Sequence, residues 1–395
     1  LTFYYRTKIQ LQQVVLRLKL CLRIPTCKAQ NFDIMMLIGR EKMSVYQNAG
    51  CKSNYQTLPK VELHRHLEGS LRMETLLDVA RVHGITLPLR PDLRSLVQMQ
   101  TSDALTFSNF LSKFQTLRLF YRSPEVITRI TREAVEDAAA DNIQYLELRF
   151  SPVALSRLEG FPLAEVMNWV STAALQAGKD FGILVRLLVS VNRHEDIHQA
   201  EQALHLAADY HTQGIIGVDL AGNEADFSAA PFAALFREAK QAGLGITVHA
   251  GEWGGPENVR QAILEMGADR IGHGVRIMED ANVVALALEH NTTFEVCITS
   301  NYQTGVAPAL SAHPLMRMLM AGLNVTLNTD DPSISQISLS NEYRVACQDL
   351  GLPANMLRTC ILTAIQASFL SADERTLLQQ QLMPKLDQAL FTPEL

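Results

Sequence analysis

Cysteine is scarce in this 395-residue chain: Cys21, Cys27, Cys51, Cys297, Cys347 and Cys360 are scattered, and no C-x-x-C pair occurs. That spacing excludes a disulfide framework and argues against structural zinc of the cysteine type. Basic charge is not in excess either. The 35 Lys and Arg stand against 41 Asp and Glu, a net −6, so no field favours nucleic acid. No run of about 18 apolar residues is available to span a bilayer. Phosphate-binding glycine loops are missing too: neither G-x-G-x-x-G nor G-x-x-x-x-G-K follows the first strand-like run. With 47% hydrophobic and 19% charged residues, the chain is expected to build a large core, as one large barrel or two smaller domains, in a reducing, cytoplasmic setting.

The first 42 residues depart from this pattern. They carry eight Lys or Arg against Asp33 and Glu41, a net +6, which leaves −12 for the remainder. Their apolar stretch from Leu11 to Leu22 is interrupted by Arg17 and Lys19, a poor signal-peptide core. Residues 1–42 are therefore expected to be an overextended start or a disordered tail, and residues 43–395 a single domain.

From residue 60 onward, eight β-like runs recur: Lys60–Glu68, Ile143–Phe150, Gly182–Val191, Ile215–Ala221, Gly245–Ala250, Arg270–Val275, Thr293–Thr299 and Asn324–Asn328. Most gaps have the length of a βα unit, and the long one after the first run predicts additional helices. Within one connector, Ile197, Ala200, Leu204 and Ala207 follow the stripe of an amphipathic helix. Strand–helix alternation predicts a parallel sheet, and eight units predict an α/β fold closed into a (β/α)8 TIM barrel, with a doubly wound sheet as the alternative. Reactive side chains gather at the ends of the runs: His64 and His66, Asn192, Gly222 and Glu224, His249 and Glu252, His273, Ser300 and Asn301, Asp330 and Asp331. Active sites of such barrels assemble from those ends.

Strand alternation places Glu62, His64, His66 and Glu68 on one face, with Val61, Leu63, Arg65 and Leu67 on the other. Two imidazoles about 7 Å apart along a strand can converge on one zinc ion, although H-x-H alone does not separate ligands from ordinary polar histidines. The fifth run delivers His249, and Gly251, Gly254 and Gly255 permit a tight turn that brings Glu252 beside it. The eighth ends in Asp330 and Asp331, adjacent like charges that no stability argument asks for. Three histidines and an aspartate make a mixed N/O set suited above all to zinc.

With these pieces in order, the sequence resembles the adenosine deaminase family of the amidohydrolase superfamily. The matching segments are HRHLEGSL at 64–71, VDLAGNE at 218–224, HAGEWGGPENV at 249–259, RIGHGV at 270–275 and LNTDDP at 327–332. Phe107–Phe114 is similar to the family's apolar lid. The resemblance implies one zinc per chain, held by His64, His66, His249 and Asp330, with Glu252 as proton donor and His273 assisting. It also implies that His66, Glu68, Gly222 and Asp331 contact a purine nucleoside, which is deaminated to its 6-oxo product with release of ammonia. Adenosine-specific members usually carry Asp where Glu68 stands, whereas relatives acting on adenine or on larger modified nucleosides often carry Glu. Cys297–Gly305 and the lid favour adenosine and 2′-deoxyadenosine; adenine and aminodeoxyfutalosine are the alternatives.

Two competing motifs are weaker. His194-Glu-Asp-Ile-His198 fits the H-E-x-x-H of zinc proteases, but Glu195 and Asp196 suit a helix start without any metal. His66-Leu-Glu68 fits the H-x-E of cytidine-type deaminases, and its P-C-x-x-C partner is missing. His83, His205, His211, His290 and His313 are expected on helix surfaces or loops. A small-molecule substrate is expected, with no nucleic-acid or membrane partner; the oligomeric state is not legible.

Overall fold

The computed structural model describes residues 54–88 and 90–391. The boundary expected at residue 42, and Cys21, Cys27 and Cys51, lie outside the described residues. Eight parallel strands follow one another in chain order around a single sheet. They are β1 (Lys60–His66), β2 (Ile143–Phe150), β3 (Leu184–Asn192), β4 (Ile215–Ala221), β5 (Gly245–Ala250), β6 (Arg270–His273), β7 (Thr293–Val296) and β8 (Asn324–Leu327). Beyond β8 the chain returns to β1: Asp330 N–H donates to the His64 carbonyl and His66 N–H to the Asp330 carbonyl, both at 2.9 Å. The sheet is thereby drawn into an α/β TIM barrel.

Several strands are shorter than their apolar runs, for local reasons. Gly182 belongs to the end of the Leu163–Phe181 helix, capping it at φ 72°, so β3 begins at Leu184. After β6 the chain turns sharply through His273 at φ 60° and Gly274 at φ 65°. In β1, strict alternation separates Glu62 from Arg65, yet Arg65 Nε lies 3.0 Å from Glu62 Oε2. The pairing of β1 with β2 shifts register between these residues, and the alternation expected from the sequence slips there.

The long β1–β2 connection holds four α-helices, Met73–His83, Arg90–Val97, Phe107–Leu117 and Pro124–Ala140. The last starts where Ser123 Oγ accepts the Val126 N–H at 3.3 Å, and Pro124 occupies a first-turn position where no N–H is needed. It buries Ile127, Ile130, Ala134 and Ala138, one face of a 3.6-residue period. In the Ile197–Asp209 connector the predicted stripe is observed, with Ala200, Leu204 and Ala207 buried. Among the described residues no helix is long and apolar enough to cross a membrane.

Below the strand ends, the barrel interior is filled by paired charges. Arg270 donates to Glu295 and Glu147, each at 2.5 Å, and its guanidinium lies 3.6 Å from the centre of the Phe369 ring. Arg149 Nη2 donates to Glu295 Oε2 at 2.9 Å and to the Leu63 carbonyl at 2.6 Å. These four charged side chains are buried, so pairing is the condition of their being there.

Candidate active site

The predicted side chains meet at the C-terminal ends of the strands. Of the histidines from β1 and β5, His64 donates Nδ1–H to Glu295 Oε2 at 2.9 Å and His249 donates Nδ1–H to Asp219 Oδ1 at 3.0 Å. A carboxylate on Nδ1 fixes each tautomer and leaves an Nε2 lone pair free for a metal. Those lone pairs crowd one point. His66 Nε2 and His249 Nε2 are 3.3 Å apart, and Asp330 Oδ1 lies 3.2 Å from His64 Nε2 and 3.3 Å from His66 Nε2. His64 Nε2 is buried and has no hydrogen-bond partner. Gly272 makes room for the crowding, since a Cβ there would sit 3.0 Å from His64 Cε1 and 3.2 Å from His249 Cγ.

The charges of the cluster act strongly on one another. Burial and the Arg149 charge oppose protonation of His64, but the Asp330 and Glu295 carboxylates beside it outweigh them and raise its pKa. Burial alone would raise the Asp330 pKa; the imidazoles of His273, His64 and His66 instead hold it well below the usual carboxylate range. Burial keeps His66 neutral, its pKa well below that of a free imidazole. His64, His66, His249 and Asp330 thus form a cluster able to hold one metal ion. A second cluster substitutes His273 and Cys297 for His66 and His249. Burial pushes the Cys297 thiol pKa well above its ordinary value.

The groups beside the cluster are poised as acids. Burial, reinforced by the charges of Asp330, Glu224 and Asp331, raises the Glu252 pKa far above the carboxylate range. Its loop is clamped by Glu224, which accepts backbone N–H groups from Gly251, Glu252 and Gly254 at 2.9, 2.6 and 2.8 Å. Asp331 is likewise kept protonated, by burial and by the neighbouring Asp330, and its Oδ1 has no partner. A Cβ on Gly69 would overlap this carboxyl, so glycine there is a condition of Asp331's position. His273 Nε2 stands 3.6 Å from Glu252 Oε2 and 3.8 Å from Asp330 Oδ2, and burial holds the ring neutral. Both His273 and Asp330 have positive φ, 60° and 65°, a backbone strain of about 1–3 kcal/mol each that tends to collect at functional sites.

One cavity joins these groups to Glu68, Gly222 and the Phe107–Leu117 helix. Phe110, Leu111 and Phe114 line it from the Phe107–Leu117 helix, whose Phe107 ring packs 4.2 Å from that of Trp253. Glu68 is buried; its Oε1 accepts the Ser151 N–H at 2.6 Å, and burial pushes its pKa to about 7. Every predicted site residue therefore reaches this one place, some through the metal cluster and the rest along the cavity wall.

The H-E-x-x-H segment does not form a site. His194 and Glu195 precede the helix that begins at Ile197, and His198 is exposed, 3.7 Å from Glu201. Sequence reasoning missed three residues. Asp219 and Glu295 orient the imidazoles of His249 and His64; each is a lone carboxylate within an apolar strand, a signal open to notice. His313, expected on a helix surface or in a loop, follows a short helical turn in a loop and is buried, with Nε2 3.2 Å from Asn301 Oδ1.

Comparison with known proteins agrees with this geometry. The family model described as adenosine deaminase matches residues 59–385. The chain is similar to the adenosine deaminase of Klebsiella pneumoniae (strain 342), with 39% identity over 329 residues, covering 82% of this chain and 98% of that protein. Among solved structures it is similar to adenine deaminase from Arthrobacter aurescens, with TM-score 0.77, 28% identity, and coverage of 84% of this chain and 98% of that one. It is also similar to an amidohydrolase from Burkholderia ambifaria with bound zinc, with TM-score 0.78, 25% identity, and coverage of 86% and 96%.

Proposed function

The chain belongs to the adenosine deaminase family of hydrolases acting on C–N bonds, and from that premise we propose that it hydrolyses adenosine and 2′-deoxyadenosine to their 6-oxo products and ammonia. The observation that carries this reading is one cavity combining a four-ligand metal cluster with two carboxyls, Glu252 and Asp331, that burial keeps protonated.

His64, His66, His249 and Asp330 would hold zinc: three imidazoles and a carboxylate suit it, and the unpartnered His64 Nε2 fits a missing ligand bond. Bound there, zinc supplies Lewis acidity that lowers the pKa of water from 15.7 toward about 7. Glu252 then gives its proton to N1 of the purine, a contribution of about 10²- to 10⁴-fold for a placed general acid. Neutral His273 directs its Nε2 toward Glu252 and Asp330, where the oxygen adding to C6 gathers charge. Protonated Asp331 donates to N7, and the Gly222 backbone N–H reaches N3. The Phe110, Leu111 and Phe114 faces of the lid exclude water from the ring. Cys297 and Cys360 are buried free thiols, in keeping with a reducing cytoplasmic setting.

Glu68 favours a second reading, since a carboxylate longer by one methylene than the usual Asp can stand where a sugar would lie. Ammonia release from adenosine, 2′-deoxyadenosine, adenine and aminodeoxyfutalosine separates the two. We expect the highest kcat/KM on adenosine, and Glu68→Ala to raise its KM by the about 1.5–3 kcal/mol of a hydrogen bond to a charged group. Preference for adenine, with adenosine activity gained in Glu68→Ala, would make the glutamate a wall against the sugar and overturn the adenosine assignment.

A further inference from the structure

The buried His313 lies outside the metal cluster, on the far side of His273, and it fixes a direction. The Leu315 backbone N–H donates to His313 Nδ1 at 3.1 Å. A backbone N–H cannot accept, so Nδ1 carries no proton, and the proton of the neutral ring must sit on Nε2. That Nε2–H meets Asn301 Oδ1 at 3.2 Å, so this end of the amide is the oxygen and its other end is the NH2. The NH2 in turn lies 3.1 Å from His273 Nδ1. An amide NH2 only donates, hence His273 Nδ1 accepts and its proton lies on Nε2, the nitrogen directed at Glu252 and Asp330. One unambiguous donor, a peptide N–H, thereby sets the polarity of three side chains in sequence.

We propose that Asn301 and His313 are positioning residues that hold His273 as its Nε2–H tautomer, so that it enters the reaction as a hydrogen-bond donor. All three side chains are buried, leaving no solvent to satisfy the groups if the order were reversed. With the His273 proton on Nδ1, the Asn301 amide would have to turn over and present NH2 to His313 Nε2–H, donor against donor. Reversal at His313 in turn would set a second donor against the Leu315 N–H. The chain of bonds therefore admits one polarity while both rings are neutral. Burial keeps His313 so, pushing its pKa down to about 3.

The role assigned to the His273 proton rests on the deaminase reading; the tautomer itself does not, and the two can be tested apart. Nitrogen NMR on histidine-labelled, metal-loaded protein without substrate reports which ring nitrogen of His273 carries the proton. We expect Nε2 in the wild type and in His313→Gln, whose amide NH2 can replace the donor to Asn301. Asn301→Asp keeps the shape but offers only acceptors, so the proton should move to Nδ1. In that variant kcat on adenosine should fall by about 10²-fold, as when one placed donor is lost, with KM and metal content held. His313→Leu should lose activity that His313→Gln retains, and melting temperatures identify any variant that fails to fold. A wild-type His273 protonated on Nδ1, or an Asn301→Asp enzyme with wild-type kcat, overturns the proposal. If the tautomers follow expectation and no variant or wild type deaminates adenosine, the substrate reading fails and the positioning chain stands.

Discussion

The lower interior of the barrel and its mouth both bury carboxyl groups, and they partner them in opposite ways. Below, Arg270 lies between Glu147 and Glu295, and Arg149 is bonded to Glu295 and a backbone carbonyl. Even Arg149 Nη1, which lacks a hydrogen bond, has Asp219 Oδ1 at 3.4 Å. At the mouth, lone pairs face one another, the Asp331 Oδ1 and His64 Nε2 are without partners, and two carboxyls are held protonated beside an ionised third. Buried charge is stable only when compensated: below, each carboxylate has its arginine, and at the mouth the donor set suits a bound cation. Glu295 links the regions, taking Arg149 and Arg270 on one side and orienting His64 on the other.

The largest effect that would sharpen this contrast is on stability. Arg270→Met leaves Glu147 and Glu295 buried without their shared guanidinium, and should lower the unfolding free energy by about 3–5 kcal/mol in denaturant titration. Activity per folded molecule should change less than stability does. A loss within experimental error would mean that the lower lattice is not what compensates those carboxylates.

At the mouth the expected order reverses. Glu252→Gln keeps shape and removes the acid, so turnover should fall by about 10²-fold or more while stability and metal content hold. The relevant measurement pairs single-turnover kinetics with a melting curve. Near-wild-type turnover would require another group to protonate the ring.

Much of this contrast was legible before the fold was known, because it rests on two periods. Alternating strand and helix gave the barrel, and polar residues ending apolar runs gave the mouth. His64, His66, His249, Glu252, Asp330 and Asp331 could all be picked out that way. Other features depend on closure. Asp219 and Glu295 are partners of His249 and His64 only because the barrel brings distant strands together, and no local spacing encodes that. His313 follows the Leu310–Ala312 turn and looks like a loop residue; its burial against Asn301 arises from the packing of that loop over the strand ends. The register shift in β1, which pairs Glu62 with Arg65, likewise escapes strict alternation. The H-E-x-x-H segment, set aside on sequence grounds because Glu195 and Asp196 suit a helix start, is a local pattern that the fold does not use as a site.

The central claim is that the unsatisfied groups at the mouth are a metal site, and metal content tests it most directly. Elemental analysis of the purified wild type should give about one zinc per chain, as for a single four-ligand site. Neither His64→Ala nor Asp330→Ala should retain zinc, and the double variant His194→Ala/His198→Ala should hold as much as wild type. Zinc retained in the first two variants and lost from the double variant would contradict the account.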